Sequence, residues 1–319
     1  MSNKLNYFAK RNELCFKALN HTIEMEKYKQ MTKESIQNST IYHEFNRTNI
    51  EKSSIDKESK IMFYNLDSVE TAYQAVRWLD SGKVCILNFA SYKNPGGKFI
   101  DGSSAQEECL CHHSNLYNIL KEFKNDFYKP NSKKLNNALY HSNLIYTPNV
   151  VFEFFHCVFN CDVITCAAPN KKAAQKYKNI PDKIVWNHMY DRIDHVLYAA
   201  YSKNVDTLIL GAFGCGVFGN NPHDVAEIFK DLIMNKYYKS FKNIIFGIPT
   251  MHQDDNTLKI FQNVFDYKVT ESPIVYVVGD DGKPLSLEYN ITNENVYNCD
   301  EIYKTKELCE LNINTKKGD

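Results

Sequence analysis

From Ile61 onward the chain alternates short, solidly apolar segments with segments whose apolar residues recur at helical spacing. The clearest apolar segment, residues 84–90, reads V-C-I-L-N-F-A. A run without polar alternation predicts a strand that is buried on both faces. Strands of this kind belong in a sheet covered by helices on both sides, so the alternation predicts an α/β fold.

Sequence signals also indicate where the individual elements begin. Asp67 is a predicted helix N-cap, with Glu70 three residues on, and Asn221 followed by Pro222 predicts the start of another helix. Further strands are predicted at 61–66, 162–168, 205–210 and 243–248. Helices are predicted at 67–80, 105–123, 185–200, 222–235 and 256–265.

Three segments are expected along the chain. Residues 1–58 are polar, with apolar residues at loose helical spacing, and predict an N-terminal helical extension that ends in a soft linker over 37–59. We expect no role in the chemistry for this extension. Residues 59–270 form the predicted layered domain. Residues 271–319 form a C-terminal extension of unknown role, with a possible edge strand at 274–278 and a turn at 280–284.

Composition narrows the possible partners. Apolar residues make up 43% of the 319 residues, and 38 basic residues balance 38 acidic ones. No overall basic field draws in nucleic acid, so sequence-specific nucleic-acid binding is not expected, and an anionic ligand must find local donors. No apolar run approaches the roughly 18 residues of a membrane span, so no membrane association is expected. Several of the ten cysteines lie in apolar, strand-like segments and indicate reduced thiols, which favours a cytoplasmic location without excluding the nucleus.

A glycine-rich loop follows the predicted strand at 205–210. It reads G-A-F-G-C-G-V-F-G-N from Gly211 to Asn220. Such a turn between strand and helix can present backbone N–H groups to an anion. The alternative is a tight connection that needs glycine only for steric reasons. Phe213 and Phe218 either pack on the core, the commoner case, or cover a ligand ring.

The loop after residues 84–90 carries a second motif, N-P-G-G-K-F-I-D-G-S-S-A-Q-E-E, from Asn94 to Glu108. Two adjacent glutamates near a helix start project about 100° apart, so we expect that they cannot aim at one atom. One can transfer a proton while the other holds a hydroxyl group, and burial beside a second carboxylate raises the pKa of one of them. The alternative is an ordinary acidic first turn of a helix.

Other chemistries have weaker support. Cys109, Cys111, His112 and His113 lie close in sequence but lack further ligands at zinc-like spacing, so no metal is predicted. Cys215 has no sequence signature that pairs it with a base, so nucleophilic catalysis is not predicted either.

Together the two loops resemble the poly(ADP-ribose) glycohydrolases of the microbial-type branch of the macrodomain superfamily. That family's signature is a triple glycine, a spacer and Gln-Glu-Glu. Here Gly96-Gly97 is followed by Lys98, seven further residues and Gln106-Glu107-Glu108. The segments N-F-A-S (88–91), V-I-T-C-A-A-P-N (163–170) and G-C-G-V-F-G (214–219) are also similar to the family. The resemblance covers roughly 61–265, with a weaker match of the N-terminal helical part.

The resemblance implies a macrodomain-like three-layer α/β/α sandwich with a mixed central sheet, and hydrolysis of ribose–ribose O-glycosidic bonds without metal or organic cofactor. It implies Glu108 as the catalytic acid and base, Glu107 as the holder of ribose hydroxyls and Gln106 as an organiser of the loop. Phe218 would cover the terminal ribose. The residues expected to contact substrate are Gln106, Asn94, Gly96, Gly97, Lys98, Gly214, Cys215, Gly216, Val217, Phe218 and Gly219. The implied ligands are ADP-ribose and poly(ADP-ribose) on modified proteins, bound by a monomer.

Lys98 departs from the family's third glycine. A residue with a Cβ adopts positive φ less readily than glycine, and its side chain could crowd the sugar or contact a phosphate. The departure bears on polymer specificity more than on ADP-ribose binding. Three alternatives stay open at this point: removal of single ADP-ribose units, binding of ADP-ribose without catalysis, and a general nucleotide-binding domain.

Overall fold

A mixed sheet lies at the centre of the protein. The computed structural model describes residues 2–43, 59–250, 252–267, 277–278 and 284–285. The strands of the sheet are β1 (Thr40–Tyr42), β2 (Lys60–Tyr64), β3 (Val84–Phe89), β4 (Leu144–Phe154), β5 (Cys157–Cys166), β6 (Thr207–Leu210) and β7 (Asn243–Gly247). They lie in the order β1-β4-β5-β3-β6-β7-β2. β4 is antiparallel to β1 and to β5, and the other neighbouring pairs are parallel.

Helices cover both faces of this sheet. They are α1 (Ser2–Glu24), α2 (Lys29–Asn38), α3 (Ser68–Trp78), α4 (Gln106–His112), α5 (Leu116–Leu120), α6 (Tyr128–Lys133), α7 (Lys171–Lys178), α8 (Asp182–Ser202), α9 (Pro222–Asn235) and α10 (Thr257–Val264). Helices α8, α9 and α10 share one hydrophobic core with the sheet, and α3, α4 and α5 share the other. These three layers confirm the predicted α/β/α sandwich.

Strand β3 shows why its sequence is apolar throughout. Cys85 and Leu87 point into the core beneath α8 and α9, whereas Val84 and Ile86 point into the core beneath α3 and α4. All four side chains are buried because side chains alternate between two covered faces.

Two predicted helix starts are confirmed. Asp67 Oδ1 accepts hydrogen bonds from the N–H groups of Val69 and Glu70, at 2.8 and 2.9 Å. Asn221 Oδ1 likewise accepts from His223, at 2.8 Å, and Pro222 is the first residue of α9. Both caps bind backbone donors that the helix itself leaves without partners.

The predicted single helix at 105–123 is wrong. Helix α4 ends at His112 and α5 begins at Leu116, because the chain between them pairs with β4. Asn115 donates its N–H to the carbonyl of Val151 and accepts the N–H of Val151 on its side-chain oxygen, at 3.1 and 3.0 Å. Strand β4 was not predicted either. Its register shifts between Thr147 and Val150, which breaks the pattern of a regular strand.

The segment before residue 59 is more closely joined to the sheet than expected. Gln37 and Asn38 end α2, and β1 pairs with β4, so the linker predicted over 37–59 is wrong at its start. Residues 44–58 lie outside the described residues. Of 271–319, the structure describes Val277–Val278 and Pro284–Leu285, which pair with each other rather than with the main sheet. The predicted turn at 280–284 lies almost wholly outside the described residues. The division of the chain into three segments, with boundaries at 58 and 270, stays a prediction.

In the part of the chain that the structure describes, every helix is too short or too polar to cross a bilayer.

Candidate active site

Three neighbouring parallel strands, β5, β3 and β6, end at the same edge of the sheet. The Asn94–Glu108 motif lies in and beyond the loop after β3, and the Gly211–Asn220 loop follows β6. Ligands of such sheets bind at the carboxyl ends of the strands, especially between loops that leave neighbouring strands. The sheet therefore brings the two motifs to one crevice.

Aromatic contacts join the two loops. The ring of Phe89, at the end of β3, lies 5.5 Å from the ring of Phe213, which is fully buried. Tyr92 stacks on Tyr140 with ring centroids 4.3 Å apart, and Tyr140 meets Phe218 edge-on at 6.1 Å. Phe213 is thus a core residue, whereas Phe218 is only partly buried and belongs to an aromatic row that spans the crevice.

Backbone hydrogen bonds close the Pro-Gly-Gly turn. Gly96 and Gly97 have φ values of +64° and +61°, which favour glycine. The Gly97 N–H binds the Asn94 carbonyl at 3.1 Å, and the Phe99 N–H binds the Gly96 carbonyl at 3.0 Å. Phe99 is buried beneath the turn and anchors it to the core.

Gln106 fastens the start of α4 to the end of β3. Its Oε1 accepts the N–H of Phe89 at 2.8 Å, and its Nε2 donates to the Leu87 carbonyl and to Ser68 Oγ, both at 2.9 Å. The side-chain amide therefore binds protein groups with its oxygen and with its nitrogen. Gln106 therefore orders the loop. Any effect of Gln106 on substrate binding would come from the position of this loop and not from direct contact.

Glu107 is buried at the base of the crevice, with 3% of its surface exposed. Its Oε2 accepts the N–H of Ser91 at 2.7 Å, and its Oε1 faces Asn88 Nδ2 at 3.3 Å. Burial raises the pKa of Glu107, the hydrogen bond from Ser91 lowers it and the charge of Glu108 raises it, and the net result is a pKa of about 8. Glu107 is therefore largely protonated at neutral pH.

Glu108 is buried beside it and is oriented by the turn. Its Oε1 accepts the backbone N–H of Lys98 at 2.8 Å. Among the described residues Oε2 accepts no hydrogen bond, which leaves that oxygen for a ligand. The carboxyl group is thus held on one side and available on the other.

Both carboxylates face Gly97. A methyl group in place of a hydrogen on its Cα would lie 2.5 Å from Glu108 Oε1 and 2.9 Å from Glu107 Oε2. The expectation that adjacent glutamates cannot aim at one point is therefore wrong. The side chains leave the helix in different directions, but the turn folds over the helix start and contacts both.

Lys98 fits this turn without strain. Only Gly96 and Gly97 need positive φ here, and Lys98 is not among the residues that adopt it. Its backbone N–H donates a hydrogen bond to Glu108. Its exposed side chain points to the outer side of the turn, where it lines a cavity with Asn94. The steric concern about a lysine at this position does not apply to the backbone.

The second glycine loop is also preformed. Asn220 Nδ2 donates to the carbonyls of Pro169 and Gly214, both at 2.9 Å, and the Lys172 N–H binds the Phe218 carbonyl at 3.0 Å. These bonds fix both ends of the loop. Within the described hydrogen bonds, several N–H groups of the loop remain without an acceptor: those of Gly214, Gly216, Val217 and Phe218.

The tip of this loop is open. Val217 is 80% exposed, and Gly216 has no neighbouring atom where a side chain would lie. Cys215 and Gly219 flank the tip, and burial raises the pKa of the Cys215 thiol to about 12. A set of unpaired N–H groups on a fixed loop with an open tip suits an anion such as a diphosphate.

No group of three or more potential metal ligands occurs in the described ranges. Cys109 Sγ lies 4.0 Å from His113 Nδ1, and the pair gains no third ligand there. That the chemistry needs no metal stays a prediction.

Several residues at the site were not given a role by the sequence analysis. Asn88 is fully buried between Glu107 and Thr165, and its Oδ1 has no hydrogen-bond partner in the described part of the chain. A lone amide inside the apolar run V-C-I-L-N-F was the available signal. Ser91 acts through its backbone, and its only sequence signal was its place in the N-F-A-S segment. Tyr140 comes from a segment with no motif and had no signal.

Comparison with known proteins agrees with this site. The model of the catalytic domain of microbial-type poly(ADP-ribose) glycohydrolase (PARG) matches residues 15–153, which include the glutamate pair but not the second glycine loop. No curated protein sequence matches the chain.

Solved structures match the whole layered fold. The poly(ADP-ribose) glycohydrolase from Thermomonospora curvata is 23% identical with a TM-score of 0.71, and the match covers 80% of this chain and 100% of that one. The structure of that enzyme with the inhibitor ADP-HPD is 24% identical, with a TM-score of 0.69 and 79% and 99% coverage. The enzyme from Deinococcus radiodurans in complex with ADP-ribose is 26% identical, with a TM-score of 0.64 and 74% and 97% coverage. Over residues 15–153 the chain is therefore similar to the catalytic domain of microbial-type poly(ADP-ribose) glycohydrolases, and its layered fold is similar to that of the solved enzymes.

Proposed function

We propose that this chain is a glycoside hydrolase that cleaves ribose–ribose O-glycosidic bonds of poly(ADP-ribose) and releases ADP-ribose. The observation that carries the proposal is the pair of buried carboxylates covered by the Pro-Gly-Gly turn, at the crevice that a preformed, donor-rich loop completes. A site that only binds ADP-ribose needs the loop but has no use for two buried acids.

Glu108 is the proposed general acid and base. With Oε1 fixed by the Lys98 N–H, Oε2 can give a proton to the leaving ribose oxygen as the glycosidic C–O bond breaks. The same carboxylate then takes a proton from the water that attacks the anomeric carbon. One product, either ADP-ribose or a shorter chain, carries a free anomeric hydroxyl. The other product carries the ribose hydroxyl that was released. Glu108 is then back in its starting protonation state.

Glu107 is proposed to hold ribose hydroxyls. Both of its oxygens are already within hydrogen-bond reach of protein donors, so it is a fixed group rather than a mobile proton carrier. A carboxyl group with a pKa of about 8 is mostly neutral at pH 7, so it can donate a hydrogen bond to a sugar oxygen as well as accept one.

The loop from Gly214 to Gly219 is proposed to bind the diphosphate, with Phe218 beside the terminal ribose. Its unpaired N–H groups supply donors without a lysine or arginine. This agrees with a chain whose basic and acidic residues balance. The ligands proposed are therefore ADP-ribose and its polymer on modified proteins, handled by a single chain in a reducing compartment.

The test is the release of ADP-ribose from labelled poly(ADP-ribose) by the wild-type protein and by Glu108→Gln. Loss of the transferable proton should lower kcat by about 100- to 10,000-fold. Calorimetric affinity for ADP-ribose should stay close to that of the wild type, since Gln keeps the oxygen that the Lys98 N–H binds. Glu122→Gln, on the exposed 3-10 turn Lys121–Lys124, is the control and should hydrolyse normally.

Two outcomes would contradict the proposal. If the wild-type protein binds ADP-ribose but releases none from the polymer, the site is a binding module. If it releases ADP-ribose only from a mono-modified protein, the substrate is the single unit and the polymer assignment is wrong.

A further inference from the structure

A cavity lies on the outer side of the Pro-Gly-Gly turn. Its volume is about 550 Å³, within the usual range of ligand sites. One wall is formed by the turn and the residues around it, and the other by the segment from Tyr117 to Ser132. Neither Glu107, Glu108 nor the Gly214–Gly219 loop lines it.

The cavity is strongly basic although the whole chain is neutral. Its lining residues include four lysines, Lys93, Lys98, Lys124 and Lys129, and one carboxylate, Asp101. Within the described residues none of the four ammonium groups makes an ion pair, whereas other lysines, such as Lys171 and Lys230, do. An uncompensated group of cations around a concave surface is expected to attract an anion.

The same cavity offers aromatic and hydroxyl groups. Tyr117 and Tyr128 line it, and the buried hydroxyl of Tyr128 has no hydrogen-bond partner in the described part of the chain. That hydroxyl is enclosed by the protein, so the exposed hydroxyl of Ser132 is the one that a ligand in the cavity can reach. Lysines can bind phosphates, and tyrosines and a serine can contact sugars. This combination suits a ligand that carries both groups better than it suits a bare inorganic ion.

The backbone of the Pro-Gly-Gly turn separates this cavity from the carboxyl groups of Glu107 and Glu108. Gly97 lines the cavity, yet a Cβ on the same residue would touch Glu108 Oε1 at 2.5 Å. Lys98 donates its N–H to Glu108 while its side chain lines the cavity. A chain that is cut beside Glu108 can therefore continue over the turn into the cavity.

We propose that this lysine-lined cavity is a second subsite, which binds the pyrophosphate of the ADP-ribose unit beyond the bond that is cut. The inference rests on the proposed function and specifies its substrate: the enzyme recognises at least two linked units. ADP-ribose alone fills the crevice and leaves the cavity empty.

The test compares two double variants that carry the same loss of charge. Lys124→Ala with Lys129→Ala removes two cations of the cavity without altering the turn. Lys133→Ala with Lys134→Ala removes two exposed lysines that do not line it. Each pair is made in the Glu108→Gln background, and calorimetry measures affinity for ADP-ribose and for tri(ADP-ribose), which this background leaves intact.

Loss of the two cavity lysines should weaken tri(ADP-ribose) binding by about tenfold and leave ADP-ribose binding unchanged. The affinity for tri(ADP-ribose) should also fall less steeply with added salt in this variant, because fewer phosphate contacts are made. The control pair should behave like the background. In otherwise wild-type protein, the cavity pair should raise KM for the polymer and leave kcat nearly unchanged.

Equal weakening by both double variants would overturn the subsite, since a general field would explain it. Weakening of ADP-ribose itself would also overturn it. A single-stranded oligonucleotide that competes as well as tri(ADP-ribose), and depends equally on Lys124 and Lys129, would show a nucleic-acid groove instead. If the wild-type protein cleaves the polymer while the cavity pair changes nothing, only the subsite fails. If the wild-type protein cleaves nothing, the proposed function fails.

Discussion

Gly97 is the residue on which the geometry of the site depends most directly. It needs a positive φ of +61°, and it is the point at which both carboxyl groups meet the turn. A side chain there would both strain the backbone and displace the acids. The site therefore contains a residue that carries no functional group and yet decides where two functional groups lie.

Replacing this glycine should impair catalysis as well as stability. We expect Gly97→Ala to lower kcat/KM for poly(ADP-ribose) by about 100-fold, because a displacement of about 1 Å at reacting groups has that effect. Gly82→Ala is a control of equal strain: φ is +57° and a Cβ would contact the Asp206 carboxylate, which lies away from the site. It should destabilise the fold and leave kcat/KM nearly unchanged. Similar loss of kcat/KM in both variants would contradict this reading of Gly97.

Glu107 should make the protein less stable as pH rises. Its pKa is about 8 in the folded protein against 4.5 for a free glutamate, so between these values the folded state holds a proton that the unfolded state has lost. The unfolding free energy must then decrease with rising pH across that window, by at most about 1.4 kcal/mol per pH unit, and level off above it. Below pH 4.5 both states are protonated and the group contributes no slope.

Glu107→Gln should flatten this decrease, since it resembles the protonated acid. Denaturant unfolding of the wild type and the variant at pH 5 and pH 8 measures the difference, which should be larger at pH 8. Burial raises the pKa of Glu70 to about 7 and adds a slope of the same sign to both proteins, so the comparison removes it. Identical slopes for the two proteins would show that Glu107 is ionised when folded.

Residues of the site differ in how far the sequence revealed them. Gln106, Glu107 and Glu108 stand in one short motif, so spacing and resemblance were enough to predict them. The four lysines of the cavity come from two segments that are ordinary surface stretches when read along the chain. Their proximity depends on how α6 lies against the turn, and no local pattern encodes that.

Among the elements, the N-terminal helices contribute more than an outer layer. Arg11 on α1 donates its Nε–H to the Asp101 carbonyl, at 2.8 Å, in the loop that follows the Pro-Gly-Gly turn. His21 Nε2 lies 3.0 Å from the Ser114 carbonyl oxygen, and Asn115 donates to Thr32 at 2.8 Å. These contacts attach the N-terminal helices to the chain before and after α4. That the N-terminal segment has no role in the chemistry stays a prediction.

Met25, in the 3-10 turn Met25–Tyr28 between α1 and α2, tests this attachment. It is fully buried, so Met25→Ala should lower the unfolding free energy by about 2–5 kcal/mol and reduce the melting temperature. Phe16→Ala is the control, because Phe16 on α1 is 70% exposed and its loss should change stability by less than about 0.5 kcal/mol. A stable Met25→Ala protein would mean that the N-terminal helices are only loosely attached.

At this scale, the sequence predicted the strands that are buried on both faces and the helices with clear caps. It did not predict β4, which contains Pro148 and an irregular register, or the break between α4 and α5. The break between the helices depends on pairing between Asn115 and Val151, residues that are far apart along the chain. Local propensity cannot report such pairing.

For the whole molecule, the sheet explains why two motifs separated by about a hundred residues form one site. β5, β3 and β6 are adjacent and parallel, so the loops after them necessarily meet. The same sheet is covered on both sides, and this burial protects side chains that would otherwise react. Four cysteines illustrate this: Cys85, Cys111, Cys161 and Cys166 are all buried.

These four thiols should be unreactive in the native protein. Burial raises the pKa of each, that of Cys166 to about 11, so few thiolates form at pH 8. An aromatic disulfide reagent should label all ten cysteines in denaturant, and under native conditions at least four should react only at the rate of unfolding. Rapid native labelling of Cys85 or Cys166, located by mass spectrometry, would contradict the two-sided covering of the sheet.

The short strand β1 has a practical consequence for anyone shortening this protein. β1 is the outermost strand and covers one edge of β4, an eleven-residue strand. A truncated form that starts at residue 59, where the sequence suggests a natural boundary, would leave the backbone groups of residues 144–146 that face β1 unpaired at a largely apolar edge. Such a fragment should associate edge to edge and aggregate, so a well-behaved minimal version has to begin before Thr40.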